Sequence, residues 1–317
     1  MKIKINANNK NQRLDKFLSL SKKLELSRSQ IQKQIKNNNI LVNNEIINSH
    51  YLLKENDEIL IKKDENKNQT ISKKPQDIDI KIIDEEDDFL IINKPNNLMV
   101  HPVNKNDTSY CLSTWIQKKY PKIKNIGENK TRPGIVHRLD KHVNGLMIIA
   151  KTNKFFQHIK KQFQNRNIKK KYLALVHGEI KTEKGEINFP LKRSSKGHKI
   201  AAMPYTEKGL PNQNGKEALT FFQIKKKYIN YTLLDVEIKT GRTHQIRAHL
   251  AALGHPIVGD NLYGTHKNKI KNEKIKLERI FLIAYNLEFK DLLMSKRKYK
   301  IKMSEKLNTF LKKLKTR

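Results

Sequence analysis

Between Lys62 and Asp77 the chain reads KKDENKNQTISKKPQD, a tract with one isoleucine and Pro75 among charged and amide residues. It holds too little apolar surface to pack, so it reads as a linker and forces the fold to be built in two pieces. The pieces are expected at residues 11–63 and 78–317, with the linker at 64–77. In the first, Leu14, Phe17 and Leu18 share one helix face. Ser27 is placed to cap a second helix carrying Ile31 and Ile35, and the Asn37-Asn38-Asn39 run can end it in a left-handed turn. Short strands at 40–43 and 58–61 complete a small α/β unit. Lys22, Lys23, Arg28, Lys33 and Lys36 lie on or near its helices, which fits a wetted surface and an anionic partner equally well.

After the linker the pattern turns strand-rich. β-branched or aromatic runs occur at 78–83, 89–92, 146–150, 172–176, 231–238 and 280–289, and predict a large sheet. Phe155, Phe156, Ile159 and Phe163 predict an amphipathic helix; Ile246, Leu250 and Leu253 predict another at 244–253, and a last helix is expected near 305–314. Strands and helices do not alternate regularly enough for a doubly wound sheet. The expected class is therefore α+β, with a mixed or antiparallel sheet in the large domain.

Of the 317 residues, 66 are Lys or Arg and 31 are Asp or Glu, leaving a net charge of +35. That imbalance points to an anionic partner. Lys contributes 55 of the 66 and Asn reaches 33, the profile of an A+T-rich genome, so part of the charge is compositional drift on solvated faces. The 11 arginines are more informative, because a guanidinium retained in a Lys-biased chain suits a site that needs its planar fork. No run approaches the apolar length of a membrane span and the first residues lack a signal-peptide core, so a cytoplasmic protein without membrane contact is expected. The single cysteine, Cys111, excludes an internal disulfide and a thiolate metal cluster, and reads as a small buried side chain.

Nucleotide-binding glycine loops and the H-E-x-x-H zinc motif are missing. His244, His249 and His255 do not share a helix face and have no Cys/Asp cluster beside them, so no metal site is expected. Two segments concentrate chemistry instead. In Pro133-Gly134-Ile135-Val136-His137-Arg138-Leu139-Asp140 an apolar strand ends in His, Arg and Asp, where a carboxylate could serve as nucleophile or base. Thr240-Gly241-Arg242-Thr243-His244-Gln245-Ile246-Arg247 is a turn entering a helix with two guanidiniums, either of which could hold Asp140 ionised. A capping network or a surface ion pair is the competing reading of each segment alone.

These residues carry a specific resemblance. His137-Arg138-Leu139-Asp140 with Gly145, the Thr240 to Arg247 segment, Gly254-His255-Pro256-Ile257-Val258-Gly259-Asp260 and Tyr263-Gly264 follow in order as in the RluA family of pseudouridine synthases. Asn93-Lys94-Pro95 and Lys171-Tyr172-Leu173-Ala174 match two further family segments. Arg13-Leu14-Asp15 and Ser27-Arg28-Ser29 resemble an S4 RNA-binding domain, so nearly the whole chain is covered. His101-Pro102, the Arg132 to Val136 segment and the region from His198 to Pro204 look most similar to members acting on large-subunit ribosomal RNA.

The resemblance implies isomerisation of uridine to pseudouridine without a cofactor, since the reaction needs neither redox change nor energy input. It assigns Asp140 as the catalytic aspartate, Arg247 as its partner, and Tyr172 as the aromatic residue that stacks on the uracil. Ile246 would pack on the base, and Arg138 would fill the stack vacated by the extruded uridine. His137, Arg242, Arg13 and Arg28 would bind RNA. The implied partner is 23S ribosomal RNA in ribosome assembly intermediates, at the subunit-interface stem-loop, bound by a monomer.

The sequence departs from the family after Asp140, where Lys141-His142-Val143-Asn144-Gly145 replaces a hydroxyl-bearing turn. Asn144 is expected to substitute by bonding nearby backbone. Asn39 and Asn56 stand where S4 turns carry glycine and are expected to take the left-handed conformation. A non-catalytic ribosome-assembly factor and a family member with other target uridines stay open as alternatives; a metal nuclease would need a carboxylate pair that the sequence does not offer.

Overall fold

A computed structural model describes residues 1–21, 24, 26–62, 78–102, 107, 109–194, 199–203 and 215–316. The linker at 64–77, Lys22, Lys23, the Lys33 side chain, and His198 and Pro204 lie outside the described residues. The chain divides into two compact units, Met1–Asp77 and Ile78–Arg317.

The first unit starts earlier than its apolar pattern suggests. Strand β1 (Lys2–Lys4) precedes helices α1 (Leu14–Leu20) and α2 (Arg28–Lys36) and strands β2 (Ile40–Val42) and β3 (Glu58–Ile61), giving an antiparallel sheet in the order β1-β3-β2. β1 is a strand because Lys2, Ile3 and Lys4 pair with Leu60, Ile59 and Glu58, not because of its own pattern. Leu14, Leu18, Ile31 and Ile35 pack with Ile40, Val42, Leu53 and Ile59. Ser27 and Gln30 cap α2 reciprocally, each accepting the other's backbone N–H. At the other end of α2 the left-handed residue is Asn38 (φ 60°), not Asn39 as expected; Asn39 N–H instead reaches back to the Gln34 carbonyl, which makes Asn38 the turning residue. Asn56 does take φ 68°.

Arg13 and Arg28 both turn to buried Asp15 in this unit, joined by Gln32 at 2.6 Å. Burial opposes ionisation of Asp15, and hydrogen bonds from Arg13, Gln32 and Arg28 overcome it, holding the carboxyl well below the usual carboxylate range. The two arginine side chains stay 38% and 48% exposed.

In the second unit, β4 (Lys81–Glu85), β5 (Phe89–Lys94), β6 (Asn144–Ala150), β7 (Lys169–His177), β8 (Lys184–Ile187), β11 (Thr220–Tyr228), β12 (Tyr231–Ile238), β13 (Leu282–Lys290) and β14 (Lys296–Lys300) form one nine-stranded sheet. Its order is β4-β5-β6-β13-β7-β12-β11-β8, with β14 on β13. β6 and β13 run parallel and the other pairs antiparallel, so the sheet is mixed and the class α+β. β9 (Leu191–Arg193) and β10 (Ile200–Ala202) make a separate hairpin. β4 begins at Lys81 rather than Ile78, because pairing with β5 starts at Lys81 opposite Asn93.

Helices α3 (Leu112–Lys119), α4 (Asn153–Gln164), α5 (Gln245–Ala252), α6 (His266–Ile275) and α7 (Glu305–Lys312) complete the unit. α4 buries Phe155, Phe156 and Ile159 against Phe89, Ile91, Leu146, Ile148, Leu287 and Phe289. Ile246 and Leu250 of α5 join Tyr172, Ala174, Leu234 and Val236 in the larger core. Cys111 is fully buried. No helix among the described residues is long and apolar enough to cross a membrane.

Candidate active site

The turn that enters α5 is fixed by one buried amide. Gln245 Oε1 accepts from the Thr240 hydroxyl at 2.7 Å and from Arg242 N–H at 3.1 Å, while its Nε2 donates to the Leu219 carbonyl and Thr220 hydroxyl, both at 3.0 Å. This clamp ties the turn to the start of β11 and aims the first turn of α5. Asp140 is presented from the other side, on the loop before β6, where its carbonyl accepts from Val143 N–H at 3.1 Å.

Arg247 joins the two. Its Nη1 donates to Asp140 Oδ2 at 3.2 Å, and Nε and Nη2 take a bidentate grip on Asp260 at 2.6 and 3.0 Å. Arg247 is buried, Asp260 is buried, and the Asp140 side chain keeps 17% exposure. Three of the five guanidinium N–H groups are thus engaged, with the plane fixed by Asp260 and one corner turned to Asp140. The Tyr263 ring centroid lies 5.0 Å from Arg247 Cζ. Arg242, the other candidate for Asp140, donates its Nε to the Glu217 carbonyl at 3.0 Å instead.

A cavity of about 600 Å³ opens over this group and is lined by His137, Arg138, Asp140, Tyr172, Arg242, Ile246 and Arg247. The structure therefore gathers the seven candidates of the large domain around one space; Arg13 and Arg28 belong to the other unit. Tyr172 is buried on β7, and burial followed by the charge of Asp140 pushes its phenol well above the usual range, so it is a protonated ring. Arg138 is exposed and donates to His101 Nε2 at 3.0 Å. His137 accepts Ile148 N–H at 2.9 Å, lies stacked on Phe163, and is pushed down to about 3 by burial and by Lys170. It is a neutral ring that holds strand β6.

Several participants have roles that the sequence alone does not signal. Asp260 fixes Arg247 from a loop 13 residues away, marked only by its place in the Gly259-Asp260 pair. Lys170 lines the cavity two residues before Tyr172, and burial with Lys239 nearby brings its ammonium down to about 8. Lys94 is fully buried and donates to the carbonyls of Pro95 and Leu98 at 2.8 Å and of Lys141 at 3.3 Å, anchoring the loop that carries Asp140. Among the described residues the Asn144 side chain bonds the Arg279 guanidinium rather than nearby backbone as expected, because β6 starts beside the segment leading into β13. His249 and His255 are held by Thr220, Phe189 and His177 as structural rings. Among the described residues no group of His, Cys, Asp and Glu could hold a metal ion.

Comparison with known proteins identifies the family. Residues 88–252 match the RNA pseudouridylate synthase family and residues 12–59 the S4 domain. An uncharacterised RNA pseudouridine synthase of Aquifex aeolicus is 38% identical over 285 residues, spanning 88% of this chain and 85% of that protein. The ribosomal large subunit pseudouridine synthase D of Pasteurella multocida is 34% identical over 257 residues, spanning 80% and 74%. The solved structure of human RNA pseudouridylate synthase domain containing 4 shares the fold, with a TM-score of 0.58 at 22% identity over 73% of this chain and 91% of that one. The chain belongs to the RluA family of RNA pseudouridylate synthases and carries an S4 domain in its first unit.

Proposed function

We propose that this protein isomerises uridines of large-subunit ribosomal RNA to pseudouridine, with Asp140 as the catalytic carboxylate. The observation that carries the reading is the chain Asp260–Arg247–Asp140 at the edge of a cavity that also holds the protonated Tyr172. The reaction breaks the N1–C1′ bond, turns the uracil and rejoins it through C5. Asp140 either adds covalently or removes the 2′-proton to give a glycal; both routes begin from the carboxylate, which Arg247 accompanies with a hydrogen bond. Tyr172 stacks on the uracil and its phenol assists proton transfer at C5, while Ile246 packs on the base.

A uridine in folded RNA must first leave its stack, at a cost of a few kcal/mol. Arg138, exposed at the rim, fills the gap, and Arg242 and Lys170 meet the phosphates. The S4 unit grips the same RNA through the N–H groups of Arg13 and Arg28 not engaged with Asp15. The relative from Pasteurella supports the large subunit as substrate. By the same likeness we place the targets in the subunit-interface stem-loop of assembly intermediates, modified by a monomer in the cytoplasm.

The test is pseudouridine mapping of ribosomal RNA by carbodiimide labelling and primer extension, after incubation with wild type and with Asp140→Asn. Stops produced by wild type alone are expected and locate the targets. Equal patterns with both proteins, on mature subunits and on assembly intermediates, would remove Asp140 from catalysis.

A further inference from the structure

His244 precedes α5 in the left-handed conformation, at φ 54° and ψ 19°. A residue with a Cβ adopts that backbone at a cost of about 1 kcal/mol, so something else must hold it there. The Gln245 clamp on either side of the turn does so, and the result is that the imidazole stands between two partners. Its Nδ1 lies 3.0 Å from the Tyr263 hydroxyl, and its Nε2 lies 3.8 Å from Asp140 Oδ2. The two rings meet edge to face, at 89°.

The carboxylate that faces Nε2 decides which ring nitrogen carries hydrogen. The Tyr263 oxygen accepts Ile200 N–H at 2.9 Å and still has its proton to give to Nδ1 or a second lone pair to accept from it, so this hydroxyl suits either tautomer. With the ring proton on Nε2, facing the carboxylate, Nδ1 accepts from the hydroxyl. The opposite tautomer would aim an Nε2 lone pair at Asp140, which is repulsive. Arg247 donates to the same oxygen, Oδ2, and among the described residues no hydrogen bond reaches Oδ1.

We infer that His244 is a positioning residue for Asp140, held as the Nε2–H tautomer between that carboxylate and the Tyr263 hydroxyl, so that His244 and Arg247 converge on Oδ2 and leave Oδ1 to the reacting nucleoside. The 3.8 Å separation is longer than a hydrogen bond, as catalytic contacts often are before substrate binds. Ile200 lies on β10, so the β9–β10 hairpin is connected to the carboxylate through the Tyr263 hydroxyl. The groups facing the imidazole are Asp140 and Arg138 from the loop before β6, Arg247 from α5, and Asp260 and Tyr263 from the loop that follows. Burial, resisted by Asp140, lowers its pKa below the ordinary histidine value, and it is neutral at neutral pH. Below its pKa the imidazolium pairs with Asp140 and weakens it, which gives the rate an acid limb.

The inference rests on the reading of Asp140 as catalytic, and its test separates the two. Nitrogen-15 spectra of ring-labelled histidine in the full-length protein, assigned with His244→Gln, should show Nδ1 unprotonated in wild type and altered in Tyr263→Phe. In steady-state assays on ribosomal RNA, Tyr263→Phe should lower kcat about tenfold with KM within about twofold. His244→Leu should lose the acid limb, and His244→Gln, which retains an N–H donor, should recover most of the rate. A protonated Nδ1 in wild type, or unchanged kcat in both Tyr263→Phe and His244→Leu, overturns the inference. Activity retained by Asp140→Asn would instead overturn the proposed function, leaving the tautomer measurement standing.

Discussion

Lys94 is fully buried, and its ammonium is surrounded by carbonyl oxygens rather than carboxylates. Burial pushes the group down to about 7, Asp140 pulls the other way and Arg279 adds to the depression. Lys94→Met keeps the apolar stem and deletes the donor, leaving the carbonyls of Pro95, Leu98 and Lys141 without it. Urea unfolding should register a loss of about 3 kcal/mol at pH 7, with a drop in kcat because Lys141 is next to Asp140. The pH dependence has a definite sign. Between about 7 and the ordinary lysine value the unfolded chain holds a proton that the folded chain has released, so wild-type stability rises with pH across that window. Lys94→Met should lack that rise. A variant as stable as wild type with the same pH slope would show that Lys94 does not anchor the loop.

At the scale of elements, the parallel pairing of β6 with β13 sets the position of the Asp140 loop. Gly145 has φ +139° there and pairs with Ala284; a Cβ would collide with the Ala284 carbonyl oxygen and fall 2.7 Å from Ala284 Cβ and N. Gly145→Ala should therefore cost about 3 kcal/mol in urea unfolding and lower activity, since backbone on both strands would have to move. Wild-type stability would mean the junction relaxes freely. The strands β5, β12 and β13 are legible in the sequence because their β-branched runs are long and continuous. β14 is not: Lys296 to Lys300 alternates charge with partial burial at a sheet edge, and only pairing with β13 makes it a strand. α6 is hidden for a similar reason, since Ile270 is exposed and its buried residue is Asn272, which serves His177 and the Gly259 turn. In the site, Asp140 and Arg247 can be paired from the resemblance across 107 residues of sequence. The Asp260 grip and the pairing of Tyr263 with His244 cannot, because each depends on where a loop returns.

For the whole molecule the question is how a charge of +35 is divided between binding and catalysis. Among the described residues each unit has its own core, the first built around Leu14, Ile31 and Ile59 and the second around Tyr172 and Phe155. Each can be expected to fold alone, so a protein of residues 78–317 isolates the cavity with its own cations. Removing residues 1–77 takes away Arg13 and Arg28 but none of the groups around Asp140. Saturating RNA should then be modified with nearly unchanged kcat, while affinity falls. Binding measured over a range of salt should show a log–log slope shallower by about 0.7 for each phosphate that the first unit would have neutralised. Equal affinity and an equal slope for the truncated and full-length proteins would mean that the first unit does not hold RNA. A fall in kcat with affinity preserved would mean that it acts on the chemistry, which the proposed division of labour forbids.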